Sequence, residues 1–119
     1  VELWAKKGAG AWAATGLTAT AGATSFSWGG TTGDDTYFFA IRAFDKAGNA
    51  TPAPAGNGQA SAILDSQAPS PGTLSAASSN TKTTPISLSF ASVSDSGSGL
   101  KDVALWYKKN SGGAWTDSG

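Results

Sequence analysis

The residues at the start of the chain recur near its end. Residues 1–12 read VELWAKKGAGAW, and residues 103–115 read VALWYKKNSGGAW. With one gap opposite Gly113, and with the comparison carried on to Gly16 and Gly119, 9 of 16 aligned positions are identical. The two copies begin 102 residues apart, and a fixed long period is typical of a modular array. We therefore expect a chain of about one period that is cut inside a module rather than between modules.

The composition limits the classes of function that the sequence supports. Eight basic residues balance eight acidic ones, so we expect no basic surface for nucleic acid or for an anionic membrane. The absence of Cys and His argues against disulfides, the usual zinc sites and His-based catalysis. No apolar run approaches the roughly 20 residues of a membrane-spanning helix. We predict no catalytic residues, no cofactor and no membrane span.

Alternation of apolar and polar residues predicts short β-strands and no helix. The strongest pattern is at Thr36–Phe44, and the opening strand is predicted at Val1–Lys7. The other predicted strands cover 11–15, 24–28, 60–65, 74–78, 86–90, about 100–109 and 114–116. Strands at this spacing are typical of a β-sandwich. Residues 66–72 combine polar residues with two prolines and are predicted to link 1–65 to 73–119.

Three stretches resemble bacterial Ig-like and fibronectin type III-like tandem repeats. Residues 37–49, YFFAIRAFDKAGN, resemble the signature Y-x-F-x-V-R-A-x-D-x-A-G-N of those modules. Residues 95–115 resemble their D-x-G-S-G-[VL]-x-x-V-x-L-[WY]-Y-x-x-x-G-G-x-W, and residues 66–69 resemble their D-T-x-A-P link. The resemblance covers most of the chain. It implies a seven-strand, two-sheet sandwich of the kind found in adhesins, stalks, S-layer proteins and accessory regions of glycosidases.

The strand order that the resemblance implies divides the chain between two modules. Residues 1–65 correspond to strands C, C′, E, F and G of one module, and residues 73–119 to A, B, C and C′ of the next. Neither half is a whole sandwich, so each would expose an apolar face. Closure within one chain is disfavoured, because about six linker residues reach only roughly 20 Å. We expect either a piece of a long tandem array or a subunit completed head-to-tail by the next copy.

Eleven apolar residues are predicted to build the core that the two halves share. They are Val1, Leu3, Phe26, Tyr37, Phe39, Ile41, Ile86, Leu88, Phe90, Val103 and Leu105. With no catalytic constellation in the sequence, we predict a non-enzymatic structural repeat of an extracellular or cell-surface fibre, stalk or adhesin. Its predicted partners are adjacent copies of the same module.

Four residues are predicted on the opposite face of the sheet, namely Trp4, Phe38, Arg42 and Phe44. The sequence leaves three interpretations open: a ladder of cation–π contacts, a contact surface between subunits or filaments, and a platform for sugar rings. The last would make the protein a carbohydrate-binding or spacer module of a secreted polysaccharide-active enzyme, which is the alternative function.

Two further kinds of candidate site lie on predicted turns. Asn49-Ala50-Thr51 is an N-glycosylation sequon, so Asn49 is a candidate glycan acceptor. Loop aspartates are explained by turn chemistry, and calcium binding near the joint between modules is the alternative, although no EF-hand spacing is present. These aspartates are Asp34, Asp35, Asp65, Asp95 and Asp102.

Overall fold

A computed structural model describes all 119 residues. Its regular secondary structure is antiparallel β-strand without a helix, which confirms the predicted all-β class. The strands are β1 (Glu2–Lys7), β2 (Ala13–Thr18), β3 (Asp35–Arg42), β4 (Ala60–Leu64), β5 (Thr73–Ala76), β6 (Leu88–Ala91), β7 (Trp106–Tyr107) and β8 (Thr116–Asp117). The chain forms two compact units, Val1–Gln67 and Ala68–Gly119, and the division falls within the stretch 66–72.

The first unit is a four-stranded sheet in the order β2-β1-β3-β4. Leu3 lies opposite Ile41 and Ala5 opposite Phe39, and directly opposed residues share a face. One face, which we call the inner face, therefore carries Leu3, Ala5, Lys7, Asp35, Tyr37, Phe39, Ile41, Ala60, Ala62 and Leu64, and alternation along the chain adds Val1. The outer face carries Glu2, Trp4, Lys6, Phe38, Ala40, Arg42 and Ile63.

The sequence predicts a β-strand at residues 24–28, but this segment has no partner strand. The prediction of a hydrogen-bonded strand there is therefore wrong. Residues 23–32 run without a turn or a bend and pair with no neighbour. Alternation of residue type specifies which side of a segment is apolar, but it does not supply the neighbour that would pair with its edge.

The second unit consists of two separate hairpins. In one, β5 pairs with β6 so that Leu74 faces Phe90 and Ala76 faces Leu88. The other hairpin joins β7 to β8. No residue of this unit is buried, and the strand predicted over about 100–109 contracts to Trp106–Tyr107.

The two copies of the repeat form the same hairpin in different surroundings. In the first, Trp4 and Ala5 pair with Ala14 and Ala13; in the second, the equivalent residues Trp106 and Tyr107 pair with Asp117 and Thr116. The same cation–π contact recurs in both copies. The Lys6 ammonium lies 5.5 Å from the Trp12 ring centroid, and the Lys108 ammonium lies 5.1 Å from that of Trp115. β1 has β3 on its other side and is six residues long, whereas β7 has no third strand and is two residues long. The hairpin therefore lengthens where a third strand flanks it.

The structure also locates the extra residue of the second copy. A Cβ on Gly10 would lie 2.8 Å from the carbonyl oxygen of Lys7, and one on Gly113 would lie 2.5 Å from that of Lys109. Lys7 and Lys109 are equivalent in the repeat, so Gly113 is the structural counterpart of Gly10. The alignment gap therefore belongs before Gly113 rather than opposite it.

Candidate assembly surface

The inner face of the first unit is covered only in part. Leu3 and Tyr37 are buried, with exposed fractions of 7% and 3%. Phe39 is half-buried, whereas Ile41 and Val1 on the same face are exposed. The apolar stripe that alternation predicted is therefore present, and one end of it lies open to solvent.

The cover over the buried part is the unpaired segment 23–32. The Trp28 indole packs edge-to-face against the rings of Tyr37 and Phe39, with centroids 5.4 Å and 5.3 Å away. The Tyr37 hydroxyl donates to the carbonyl oxygen of Gly33 at 2.7 Å and accepts from the backbone N–H of Thr32 at 2.8 Å. Sequence reasoning placed Trp28 on an alternating segment but missed that it anchors this segment to the sheet.

The backbone of this segment is unusually free of hydrogen bonds. At its first residue, the Ala23 N–H donates to the carbonyl of Thr20. At its last residue, the Thr32 N–H donates to the Tyr37 hydroxyl. No N–H or C=O group between residues 24 and 31 pairs with another backbone group. A strand-like segment with unpaired N–H and C=O groups is a template for pairing with another strand.

The β5–β6 hairpin of the second unit has one apolar side and one hydroxyl side. Leu74, Phe90, Ala76 and Leu88 lie on one side, and serines with Thr73 lie on the other. Phe90 is 61% exposed and Leu88 is 41% exposed. An open groove of about 220 Å³ adjoins this side and is lined by Phe90, Leu105 and neighbouring apolar residues. The apolar side is thus largely exposed, with residues 103–106 lining the far wall of the groove.

The eleven residues predicted as a shared core divide by environment in the single chain. Leu3 and Tyr37 are buried, and Phe26 and Phe39 are half-buried. The exposed residues are Val1, Ile41, Ile86, Leu88, Phe90, Val103 and Leu105. Only the first unit brings members of the set into contact with a sheet-covering segment, and the second unit leaves its members open.

The register places Trp4, Phe38 and Arg42 on the outer face, and Phe44 lies beyond the end of β3 in contact with Arg42. Cations lie over the Phe38 and Phe44 rings. The ammonium of Lys6 lies 4.8 Å from the Phe38 ring centroid, and the Arg42 guanidinium lies 5.2 Å from that of Phe44. The Trp4 indole N–H donates to a Glu2 carboxylate oxygen at 3.3 Å. The contacts at Phe38 and Phe44 are those of a cation–π ladder. No cation covers the Trp4 ring, so the contact surface and the sugar platform stay predictions from the sequence.

The loop at residues 51–59 covers another part of the outer face. Ala40 is buried at 5% exposure, beside residues 51–59. The Trp12 indole reaches Gly58 in this loop, since a Cβ there would lie 2.6 Å from Trp12 Cη2. Gly58 also has a φ of +68°, a conformation that side chains with a Cβ disfavour.

We expect Gly58→Ala to destabilise the first unit by about 3 kcal/mol, because strain at positive φ adds to clashes of the new Cβ with the Phe39 carbonyl oxygen at 2.5 Å and with the Trp12 indole. Gly56→Ala is the matched control: its φ is +56°, but nothing lies within 4 Å of the new Cβ. That control should cost only about 1 kcal/mol. Urea unfolding followed by tryptophan fluorescence measures both, and equal losses would refute the proposed contact with Trp12.

A carboxylate and two backbone hydrogen bonds close the Asp45–Asn49 loop: the Asp45 N–H donates to the Asn49 carbonyl at 2.9 Å, and the Gly48 N–H donates to the Asp45 carbonyl at 3.2 Å. Asp45 accepts the backbone N–H of Asn49 at 2.8 Å and its side-chain amide at 2.7 Å. The side-chain amide of Asn49 is the main cause that lowers the pKa of Asp45, followed by the Asn49 backbone N–H and those of Ala47 and Gly48. Gly48 has a φ of +92°, which the turn requires.

We expect this loop to open in acid. A folded-state pKa below the ordinary value means that the carboxylate's contribution is present above about pH 3.9 and is lost as the pH falls through the folded-state pKa. The protection of the Asn49 amide, which is its exchange rate measured by NMR relative to the intrinsic rate at the same pH, should therefore fall below that range, and Asp45→Asn should remove the acid-dependent step. Opening with a midpoint above pH 4 would contradict the lowered pKa.

The candidate glycan acceptor lies in the same loop. The Asn49 amide nitrogen donates one hydrogen to Asp45, and the sequon's Thr51 hydroxyl accepts the backbone N–H of Ala43 at 3.0 Å. Both polar side chains of the sequon thus already have a hydrogen-bonded role in the loop. Glycosylation of Asn49 stays a prediction from the sequence.

The loop aspartates are separated into small hydrogen-bonded turns. Asp34 accepts Ser66 at 3.0 Å, and Asp95 accepts the backbone N–H of Gly97 and Gly99 at 3.1 Å and 2.7 Å. No group of three or more acidic side chains is arranged to hold a metal ion. Turn chemistry accounts for the contacts of Asp95, whereas Asp34 ties the end of β4 to the loop before β3. Calcium binding stays a prediction.

No protein-family profile, curated protein or solved structure matches the chain. No helix with the length and apolar character needed to cross a bilayer is present.

Proposed function

We propose that the protein is a non-enzymatic structural repeat of an extracellular fibre, stalk or adhesin, whose half-sandwiches are completed head-to-tail by neighbouring copies. One observation carries the proposal: fifteen large apolar residues stay exposed while only Leu3, Ala5, Tyr37 and Ala40 are buried. Leu74, Leu88 and Phe90 form one contiguous group of this kind on the β5–β6 hairpin, and contiguous exposed apolar patches mark interaction surfaces.

The strand order supports an Ig-like or fibronectin type III-like sandwich as the completed form. The sheet β2-β1-β3-β4 corresponds to strands C′, C, F and G, which form one sheet in such sandwiches. The segment 23–32 stands where strand E would cross the inner face, and β5–β6 stands for the A–B hairpin. The first unit lacks an A–B hairpin in this comparison, and β5–β6 is a hairpin of that type.

The energy of covering these faces favours assembly. A large apolar side chain contributes about 1.5–3 kcal/mol when it becomes fully buried. A contact between unlike surfaces of successive copies does not close on itself, and it extends into a fibre. The same packing serves a homopolymer of separate chains and a tandem array with a continuous backbone. An extracellular or cell-surface location follows from the resemblance to secreted repeats.

Sedimentation of the full chain over a hundredfold concentration range, together with electron microscopy and intact mass, tests the proposal. We expect the weight-average mass to rise with concentration and linear particles to appear. A monodisperse monomer at every concentration, with no linear particles, would overturn it.

A carbohydrate-binding or spacer module remains the competing proposal, and the outer-face aromatic residues are its only support. Trp4→Ala separates the two. If the unmodified chain is retained on insoluble polysaccharide and Trp4→Ala is not, with unchanged sedimentation, the binding module is favoured. We expect neither the unmodified chain nor Trp4→Ala to be retained.

A further inference from the structure

We propose that β6 of one copy pairs with residues 24–28 of a second copy, so that the β5–β6 hairpin is the element exchanged between chains. The inference rests on the proposed function and adds to it the identity of the exchanged strand. β5 is the only neighbour of β6, which leaves the other edge of β6 free. Residues 24–31 lack backbone partners. Addition of a strand to a free edge satisfies both sets of groups.

The two segments match residue by residue. Residues 25–28 read Ser-Phe-Ser-Trp, and residues 87–90 read Ser-Leu-Ser-Phe. Trp28 packs on Tyr37, so the apolar side of its segment faces the inner face. In an antiparallel pair, Leu88 and Phe90 would lie on that same side, and the serines of both strands would meet on the outside as hydroxyl pairs.

The direction of the segment fixes the direction of its partner. Trp28 lies over Tyr37 and Thr32 reaches the Tyr37 hydroxyl, so the segment runs towards the end of the sheet where Asp35 and Leu64 lie opposite each other. β6, antiparallel to it, would run away from that end. β5 would then begin at the far end of the sheet.

The link between β4 and β5 is too short for the chain to use its own hairpin in this way. Ser66 and Gln67 both donate to Asp34, at 3.0 Å and 3.5 Å, at the end where β4 finishes. From Gln67 to Thr73 the backbone reaches about 20 Å. The eight residues of β3 extend about 27 Å, and packed sheets lie about 10 Å apart. A second copy has no such limit, so we infer exchange between chains.

Engineered disulfides test the pairing, since the chain has no Cys. One full-length chain carries Ser25→Cys or Ser27→Cys, and another, isotope-labelled chain carries Ser87→Cys or Ser89→Cys; the four combinations cover the registers that place serines opposite each other. After mild oxidation we expect at least one combination to form mixed disulfide dimers about tenfold more than Ser27→Cys with Ser75→Cys. Ser75 faces the same way as Ser89 but lies one strand further from the free edge of β6.

The same substitutions in one chain distinguish the remaining outcomes. A ladder of linked chains under non-reducing conditions supports exchange, whereas an internal disulfide in a monomer overturns it. Equal crosslinking of the control combination also overturns it. If the unmodified protein assembles by sedimentation but no combination crosslinks above control, the pairing is wrong and the proposed function stands. If it neither assembles nor crosslinks, both fail.

Discussion

Tyr37→Ala is expected to unfold the first unit, with a loss of about 3–5 kcal/mol in the free energy of unfolding. Tyr37 is the most buried large side chain of the core. Its ring packs against Trp28, and its hydroxyl is hydrogen-bonded to the backbone of both Thr32 and Gly33. A small core of this kind has little stability in reserve. Chemical unfolding followed by tryptophan fluorescence measures the loss.

Tyr37→Phe is the matched control for that prediction. It keeps the ring against Trp28 and removes only the hydroxyl, which accepts from Thr32 and donates to Gly33. We expect a loss of about 1–3 kcal/mol, since the Thr32 N–H and the Gly33 carbonyl lose their partner. If Tyr37→Ala cost no more than Tyr37→Phe, the packing of segment 23–32 on the inner face would contribute nothing, and the argument for that cover would fail.

The alternation of residue types was sufficient to predict the first sheet. Strong period-two patterns in Val1–Lys7 and Thr36–Phe44 predicted strands whose inner and outer residues the register of β1 and β3 confirms. Such patterns are reliable because a shift of one residue would move every apolar side chain to the wrong face. Trp4, Phe38 and Arg42 accordingly share the outer face.

What the sequence could not predict depends on neighbours distant along the chain. The pattern at 24–28 is as regular as that of β1, yet it pairs with nothing, because a strand requires an adjacent edge as well as an apolar side. The second copy of the repeat contracts to Trp106–Tyr107 for the same reason. Burial of Ala40 depends on the loop at 51–59, and Gly58 was the one local sign of a close approach there.

The repeat offers a comparison of one sequence motif in two environments. Next to β3, the motif forms a six-residue strand and buries Leu3; without such a neighbour, its counterpart Leu105 stays exposed. The difference lies in the third strand and not in the motif, since the pairing register is the same in both copies. A third strand beside β7 is therefore what the second copy lacks relative to the first.

Phe90→Ala is expected to weaken assembly about 10- to 150-fold while leaving each unit folded. The ring is 61% exposed in the single chain, so its removal costs little there, but covering it by a neighbour is worth about 1.5–3 kcal/mol. Ile63→Ala is the matched control, because Ile63 is 57% exposed but lies on the outer face. Sedimentation equilibrium measures the association constant, and circular dichroism verifies the fold. Equal effects of the two substitutions would show that assembly does not use the apolar side of the β5–β6 hairpin, since only Phe90 lies on that side.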